Sequence, residues 1–102
     1  DTSLGAQVFR TGELGLAQGD FSLMEKNRLR LDYLPANCQL LSGDLVVTSG
    51  LGGFYPSGLV IGSVEEVQPD DSGAASYAIL KPKVDFDELA EVFIIKSFDI
   101  VP

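Results

Sequence analysis

The sequence predicts an all-β domain, an antiparallel barrel or sandwich of six to seven short strands with one helical turn near residues 86–91. Apolar and polar residues alternate over short stretches, and turn-forming residues recur about every ten positions. The length of 102 residues suits one domain, and a hydrophobic fraction of 45% with a charged fraction of 22% is typical of a globular protein. We therefore treat residues 1–102 as a single folded unit.

The first third of the chain contains three predicted strands separated by glycine-containing turns. The strands are predicted at residues 6–10, 13–17 and 27–34, with turns at residues 11–12 and 19–20. In the third strand, Leu29, Leu31 and Tyr33 alternate with charged residues, which predicts that these three side chains face the core. Pro35 ends this strand, because proline lacks the backbone N–H that a sheet needs.

The remaining strands follow a connection at residues 35–44, which has room for a helical turn. They are predicted at residues 45–49, 59–68, 76–82 and 91–97. The candidates to face the core in the second of these strands are Val60, Gly62, Val64 and Val67. Gly62 inside a strand indicates a bulge or a sharp bend, which small barrels need.

A cluster of carboxylates follows the predicted strand at residues 76–82. Its members are Asp85, Asp87, Glu88 and Glu91. Asp85 stands three residues before Glu88, a spacing that caps the start of a helix. A calcium loop would need a central glycine, which this cluster lacks, and a glycosidase would need two carboxylates facing each other across a cleft. We therefore interpret the cluster as a capped helical turn with solvated acids.

The formal net charge is −8, and its distribution is uneven. No Lys or Arg occurs between Leu31 and Leu80, a stretch with six acids: Asp32, Asp44, Glu65, Glu66, Asp70 and Asp71. Because Lys and Arg drive binding to phosphate backbones, this composition argues against nucleic acid and against direct binding to anionic lipid. The preferred interpretation is a solvated acidic surface that aids solubility, and the alternative is an electrostatic docking face.

Residues for nucleophilic and metal chemistry are scarce. The chain has no His and a single cysteine, Cys38. Ser–His–Asp triads, Cys–His pairs and most zinc sites are therefore excluded, and no internal disulfide can form. Cys38 is expected to fill a small apolar niche. We accordingly predict no catalytic, cofactor-binding or metal-ligating residue and no cofactor, which indicates a protein that is not an enzyme.

The segment TSGLGGFYPSG, residues 48–58, is the densest concentration of glycine in the chain. It is not a dinucleotide loop, because Tyr55 occupies the third glycine position and a strand rather than a helix follows. The expected structural residues of this loop are Gly50, Gly52, Gly53, Pro56 and Gly58. Its apolar side chains are Leu51, Phe54 and Tyr55. Two hypotheses stay open for them: a patch that contacts another protein, or a plug in one end of the barrel.

The stretch GDLVVTSGLGGFYPSGLVIGSVEEV, residues 43–67, resembles the extracytoplasmic β domain of the MreC family of rod shape-determining proteins. The family pattern is present at Gly43, Asp44, residues 48–53, Phe54, Pro56, Gly58 and Gly62. The resemblance extends upstream to RTGELG, residues 10–15, and downstream to KPKVDFDELAEVFII, residues 81–95. One departure is Phe54-Tyr55, where many relatives have a smaller first residue.

The resemblance implies a fold, a location and a set of partners. The fold is a small antiparallel β-barrel of six to seven strands, the C-terminal lobe of a longer membrane-anchored protein. The implied location is the extracytoplasmic face of the bacterial cell membrane, reached only through an N-terminal anchor outside this chain. The implied role is a non-catalytic scaffold for cell elongation and peptidoglycan synthesis. The implied partners are a second copy, the elongation-specific class B penicillin-binding transpeptidase, MreD and MreB.

Three alternatives accompany this interpretation. The first is a periplasmic adaptor barrel of a secretion or efflux assembly, whose strands also carry Gly-Asp patterns. The second is a small hydrolase that uses Asp or Glu, which the lack of His makes less favourable. A third possibility concerns assembly: in an open barrel, the strand EVFIIKS, residues 91–97, would offer an unpaired edge to a neighbouring chain.

Overall fold

Six antiparallel strands form a closed barrel in the order β1-β2-β3-β6-β5-β4 in a computed structural model, which describes residues 3–51, 56–86 and 88. The strands are β1 (Ser3–Val8), β2 (Leu14–Gln18), β3 (Leu29–Pro35), β4 (Leu45–Thr48), β5 (Val60–Pro69) and β6 (Ala75–Pro82), and a short helix, α1, covers Phe21–Met24. Pairing of β1 with β4 closes the barrel, so each of these six strands has a neighbour on both sides. The all-β barrel prediction is confirmed.

Side chains from all six strands fill the interior. The buried cluster consists of Leu4, Ala6, Val8, Ala17, Leu29, Leu31, Leu34, Val46, Ile61, Val64, Ala78, Leu80 and Phe86. Strand periodicity explains most of this set, because alternate residues of each strand point inward. Phe86 is the exception: it follows β6 and enters the core from outside the strands.

The predicted helical turn begins as expected. Phe86 and Glu88 are helical, and the Asp85 carboxylate accepts a hydrogen bond from the Glu88 N–H at 3.1 Å. The rest of that predicted turn, and the strand predicted at residues 91–97, lie outside the described residues. Each of the six described strands is paired on both sides, so the described part of the barrel offers no free edge for the edge-pairing hypothesis.

The antiparallel order places the connections alternately at two ends of the barrel. One end, here called the turn end, carries the β1–β2, β3–β4 and β5–β6 connections. The other, here called the loop end, carries the β2–β3 and β4–β5 connections, the second of which is the glycine-rich loop. The two sets of connections are thus separated by the length of the barrel.

A bulge in β3 reverses the side-chain pattern near its end. The pairing of β3 with β6 shifts register between Leu31 and Leu34, so that β3 contains one extra residue. Tyr33 adopts a positive φ of 66° and is 72% exposed, and Leu34 is buried instead. The prediction that Tyr33 faces the core is therefore wrong, because the extra residue turns the following side chains to the opposite face.

A second bulge lies in β5, beside Gly62. Val46 and Val47 of β4 pair with Gly62 and Val60, which leaves Ile61 as the extra residue. Ile61 is fully buried while Val60 is only half-buried, so the prediction that Val60 faces the core is corrected to Ile61. Val64 is buried as predicted. Gly62 is required here because a Cβ would overlap the carbonyl oxygen of Lys81 on β6.

Helix α1 replaces the simple turn predicted at residues 19–20. The Asp20 carboxylate accepts hydrogen bonds from the backbone N–H groups of Ser22 and Leu23, at 2.8 and 3.4 Å, which caps the helix start. Asn27 ends the segment with a positive φ of 55°. No helix within residues 3–51, 56–86 and 88 has the length and apolarity needed to span a bilayer.

We expect Gly62→Ala to destabilise the barrel strongly. The added methyl group would force β5 and β6 apart, at a cost of about 3 kcal/mol. Gly73→Ala is the control for an added methyl group without crowding, because a Cβ there meets nothing within 4 Å, although Gly73, unlike Gly62, has a positive φ of 71°. The control should lose only about 1 kcal/mol, the cost of a left-handed alanine. Urea unfolding followed by circular dichroism measures both, and equal losses would contradict the close approach of β6.

Candidate functional site

The glycine-rich loop is closed at its base by Thr48, the last residue of β4. Thr48 is fully buried. Its hydroxyl donates to the carbonyl of Pro56 at 2.8 Å and accepts from the N–H of Leu59 at 3.0 Å. Its backbone N–H donates to Leu59 and its carbonyl accepts from the N–H of Gly58, both at 2.8 Å. One residue therefore joins the two arms of the loop through four hydrogen bonds.

Two glycines give the loop its path. Gly50 and Gly58 have φ values of 70° and 84°, which L side chains rarely adopt. A Cβ on Gly50 would also lie 2.9 Å from the Cβ of Ser57, so the two arms approach too closely for any larger residue. The N–H of Ser49 donates to the carbonyl of Gly5 at 3.1 Å, which ties the loop to β1. The base of the loop is thus fixed to the barrel wall.

Of the three candidate interaction residues, Leu51 is the one that lies in the described part of the chain. Leu51 is 60% exposed, and its N–H donates to the hydroxyl of Ser49 at 3.3 Å. Phe54 and Tyr55, together with Gly52 and Gly53, lie outside the described residues. A solvent-facing Leu51 is the arrangement expected for a contact patch, while the two hypotheses for Phe54 and Tyr55 stay predictions.

At the turn end, an ion pair joins two of the sequence motifs. Arg10 holds the Asp44 carboxylate with two parallel hydrogen bonds, Nε to Oδ1 and Nη2 to Oδ2, both 2.9 Å long. Arg10 also donates to the carbonyl of Gln39 at 3.0 Å, and Asp44 accepts from the N–H of Leu41 at 2.7 Å. RTGELG and Gly43-Asp44 therefore form one structural unit. Sequence reasoning missed this pair, because 34 residues separate its members.

The electrostatics of this pair favour the ionised acid. The hydrogen bonds from Arg10 lower the pKa of Asp44, the N–H of Leu41 acts in the same direction, and burial opposes both. Asp44 is only 8% exposed, whereas Arg10 is half-exposed. The pair thus fastens the β3–β4 connection to the end of β1.

Arginines from the first third of the chain neutralise several acids of the cation-free stretch. Arg28 pairs with Glu65 at 2.9 Å, and Arg30 pairs with Asp32. Together with Asp44, three of the six acids between Leu31 and Leu80 are paired. The fold thus brings distant cations to this stretch, and the choice between a solvated acidic surface and an electrostatic docking face stays a prediction.

The described side chains include one thiol and no cluster of metal-ligating groups. In the described part of the chain, no group of three or more His, Cys, Asp or Glu converges to hold a metal ion. Cys38 is a free thiol, half-buried, and packs against the core. What the site can do is present fixed backbone and an exposed apolar side chain to another surface.

The chain is similar to one family of bacterial proteins along most of its length. Residues 1–96 match the family model described as "Rod shape-determining protein MreC, barrel core". The cell shape-determining protein MreC of Listeria monocytogenes is 41% identical over 68 residues, which cover 67% of this chain and 23% of that protein. The MreC of Bacillus subtilis is 36% identical over 73 residues, covering 70% and 25%. The chain therefore spans about a quarter of these relatives.

Solved structures show the same similarity in three dimensions. A structure of MreC from Listeria monocytogenes superposes with a TM-score of 0.73 at 35% identity, covering 82% of this chain and 40% of that one. A chain in the complex between penicillin-binding protein PBP2 and MreC from Helicobacter pylori superposes with a TM-score of 0.64 at 26% identity, covering 78% and 46%. The barrel is thus the part that these proteins share with the chain.

We expect Thr48→Val to loosen the base of the loop. Valine has a similar shape but leaves the Leu59 N–H and the Pro56 carbonyl without their partner, at a cost of about 2 kcal/mol. The readout is hydrogen exchange at the Leu59 amide, which should become much faster. Thr48→Ser keeps the hydroxyl, loses one methyl group at about 1 kcal/mol, and should leave that amide protected. Equal protection in the two variants would contradict the role assigned to the hydroxyl.

The Arg10–Asp44 pair predicts a specific dependence of stability on pH. The folded pKa of Asp44 is below its unfolded value of about 4, so the pair stabilises the fold above that pH and loses its effect as the pH falls through the folded value. Asp44→Asn should therefore lower the urea midpoint at pH 7, with a difference that shrinks under acid conditions. Asp71→Asn removes an exposed carboxylate as the control. A difference for Asp44→Asn that stays constant down to pH 2 would refute the assignment.

Proposed function

Since the chain belongs to the MreC family of rod shape-determining proteins, we propose that it acts as a non-catalytic scaffold lobe of the bacterial cell-elongation machinery. In this role the barrel works through protein–protein contacts and self-association, and it supports peptidoglycan synthesis by holding its partners together. The observation that carries the proposal is the match of residues 1–96 to the barrel core of the family. The location is the extracytoplasmic face of the cell membrane, with the anchor in a segment outside this chain.

The geometry of the site supports a presenting role over a catalytic one. Thr48 closes the glycine-rich loop by four hydrogen bonds, so the loop base needs little further ordering when a partner binds. Two of the acids in the described part of the chain, Asp44 and Glu65, are held by arginines. The whole chain contains no His.

The proposed partners follow from family membership and from one solved relative. The Helicobacter pylori complex joins PBP2 to MreC, and we extend that pairing to the elongation-specific class B penicillin-binding transpeptidase of this protein's own cell. Self-association, and assembly with MreD and MreB, rest on family membership. A β-barrel fold alone does not distinguish the scaffold from the adaptor-barrel alternative. The match of residues 1–96 to the MreC barrel core favours the scaffold.

We propose the glycine-rich loop as the contact surface, with Leu51 as its described apolar residue and with Phe54 and Tyr55 beside it in sequence. Leu51 stands 60% exposed on a loop whose base is fixed. An exposed apolar side chain beside an ordered loop base excludes water on contact with a partner at low entropic cost. The same reasoning applies to a second copy of the chain, because its loop is an identical apolar surface.

Leu51→Asp tests this contact. We expect binding to the class B transpeptidase to weaken about tenfold, since a carboxylate would be buried in an apolar contact. Leu41→Asp is the matched control, because Leu41 is 61% exposed but lies on the β3–β4 connection at the turn end. Biolayer interferometry measures affinity, and the thermal midpoint checks that both variants fold. Equal affinity of the two variants would contradict the loop as the contact surface.

Phe54→Ala separates the two hypotheses for the aromatic residues of the loop. A contact role predicts unchanged folding with weaker association. A plug in the barrel predicts a large loss of stability, about 3 kcal/mol or more, as for other buried Phe truncations. Urea unfolding and the binding assay on the same variant distinguish the two results.

A further inference from the structure

A groove on the outside of β2, β3 and β6 carries two exposed aromatic rings that the barrel does not need. It has a volume of about 540 Å³. Its lining consists of Gln18, Gly19, Asp20, Phe21, Arg30, Asp32, Tyr33, Asp70 and Ser76, and we call it the aromatic groove. None of these residues belongs to the glycine-rich loop, so the aromatic groove is a separate surface.

The two rings reach the aromatic groove through special backbone features. Phe21 is the first residue of α1 and is 82% exposed. Tyr33 is 72% exposed because the bulge in β3 turns it outward, with a φ of 66°. A bulky residue at positive φ is strained and persists where the surrounding structure enforces it, which is frequent at binding sites. Phe21 and Tyr33 line the same groove, so they form an aromatic surface of the kind that contacts a partner.

The polar side chains at the floor of the aromatic groove already have hydrogen-bond or ion-pair partners within the barrel. Arg30 pairs with Asp32 and stacks on the ring of Tyr77, with its guanidinium carbon 3.8 Å from the ring centroid. Gln18 donates to the second oxygen of Asp32 at 2.7 Å. These groups therefore form a fixed base, and the charge that stays available belongs to Asp20 and Asp70.

The available charge is negative. Three aspartates and one arginine line the groove, which leaves two uncompensated negative charges. Asp20 and Asp70 each accept hydrogen bonds from a nearby serine, Ser22 and Ser72, which lowers the pKa of both carboxylates. Both are therefore ionised at neutral pH and complement a cation.

We propose that the aromatic groove binds a segment of another protein that carries Lys or Arg beside apolar side chains. The apolar side chains lie against Phe21 and Tyr33, and cations lie beside the carboxylates of Asp20 and Asp70, which line the groove from connections at opposite ends of the barrel. A small molecule fits less well, because ligand pockets enclose most of their ligand and these two rings stand mostly in solvent. This interaction goes beyond the proposed loop contact and does not require it.

The test is a titration of the isotope-labelled protein, followed by amide chemical shifts. The probe is a short synthetic peptide of alternating Val and Arg with blocked termini. A Gly–Arg peptide keeps the charge without the apolar side chains, and a Val–Glu peptide reverses the charge. We expect the Val–Arg peptide alone to shift the amides of the aromatic groove strongly. Equal binding of the Val–Arg and Gly–Arg peptides, or any comparable binding of the Val–Glu peptide, would overturn the proposal.

Variants separate this groove from the general acidity of the protein. Asp20→Asn with Asp70→Asn removes two charges and keeps the helix cap at Asp20 and the turn at Asp70, because Asn accepts the same backbone hydrogen bonds. We expect affinity for the Val–Arg peptide to fall about fivefold or more. Glu66→Gln with Asp71→Asn removes the same charge from residues that do not line the groove and should have a smaller effect. If both double variants lost the same affinity for the peptide, the binding would be non-specific charge attraction, and the proposal would be overturned.

The rings have their own pair of variants. Tyr33→Asn removes the ring and keeps a residue that tolerates positive φ, so the bulge should survive. Its affinity for the Val–Arg peptide should fall about fivefold. Phe9→Ala removes an equally exposed ring (72%) from the β1–β2 turn and should bind like the original protein. Groove amides that shift with protein concentration in the absence of peptide would identify a second copy as the occupant, which contradicts the proposal.

Discussion

The seam between β1 and β4 closes the barrel with a short ladder, in which only Ala6, Gln7 and Val8 pair with residues of β4. Hydrogen bonds beyond the ladder hold both of its ends. At the turn end, Arg10 grips Asp44, and at the loop end the N–H of Ser49 donates to the carbonyl of Gly5. If the seam opened, the strands would lose their cyclic order and the core would lose one wall. Three of the family-like motifs lie at its two ends: RTGELG and Gly43-Asp44 at the turn end, and the glycine-rich loop at the loop end.

This arrangement explains why segments far apart in the sequence behave as one unit. RTGELG and Gly43-Asp44 meet at the turn end, while the glycine-rich loop starts where β4 leaves the seam. The position of the loop base is therefore set by the pairing of β1 with β4 that closes the barrel. Thr48 then fixes the two arms of the loop to each other, so strand pairing and loop geometry depend on the same few residues.

The strands and turns could be predicted from the sequence because their signals are local. Alternation over residues such as Leu29 and Leu31, and glycine at turns, need no knowledge of the partner strand. The bulges could not be predicted in detail, because an extra residue is defined only against the strand that it pairs with. Tyr33 and Ile61 accordingly changed faces, although Gly62 indicated that an irregularity lay nearby. The Arg10–Asp44 pair could not be predicted for the same reason. An ion pair depends on the distance between two side chains in space, and no local sequence pattern gives that distance.

Because Thr48 closes the base of the loop, sequence changes in the loop tip and sequence changes in the barrel have separate effects. Because its hydrogen bonds to Pro56, Gly58 and Leu59 complete the wall at the last residue of β4, the segment beyond them carries none of the described ladder. Changes of length in a closed loop cost little entropy, roughly 0.6 kcal/mol for each doubling. The tip can therefore diverge, or accept a grafted recognition sequence, while the barrel underneath stays the same.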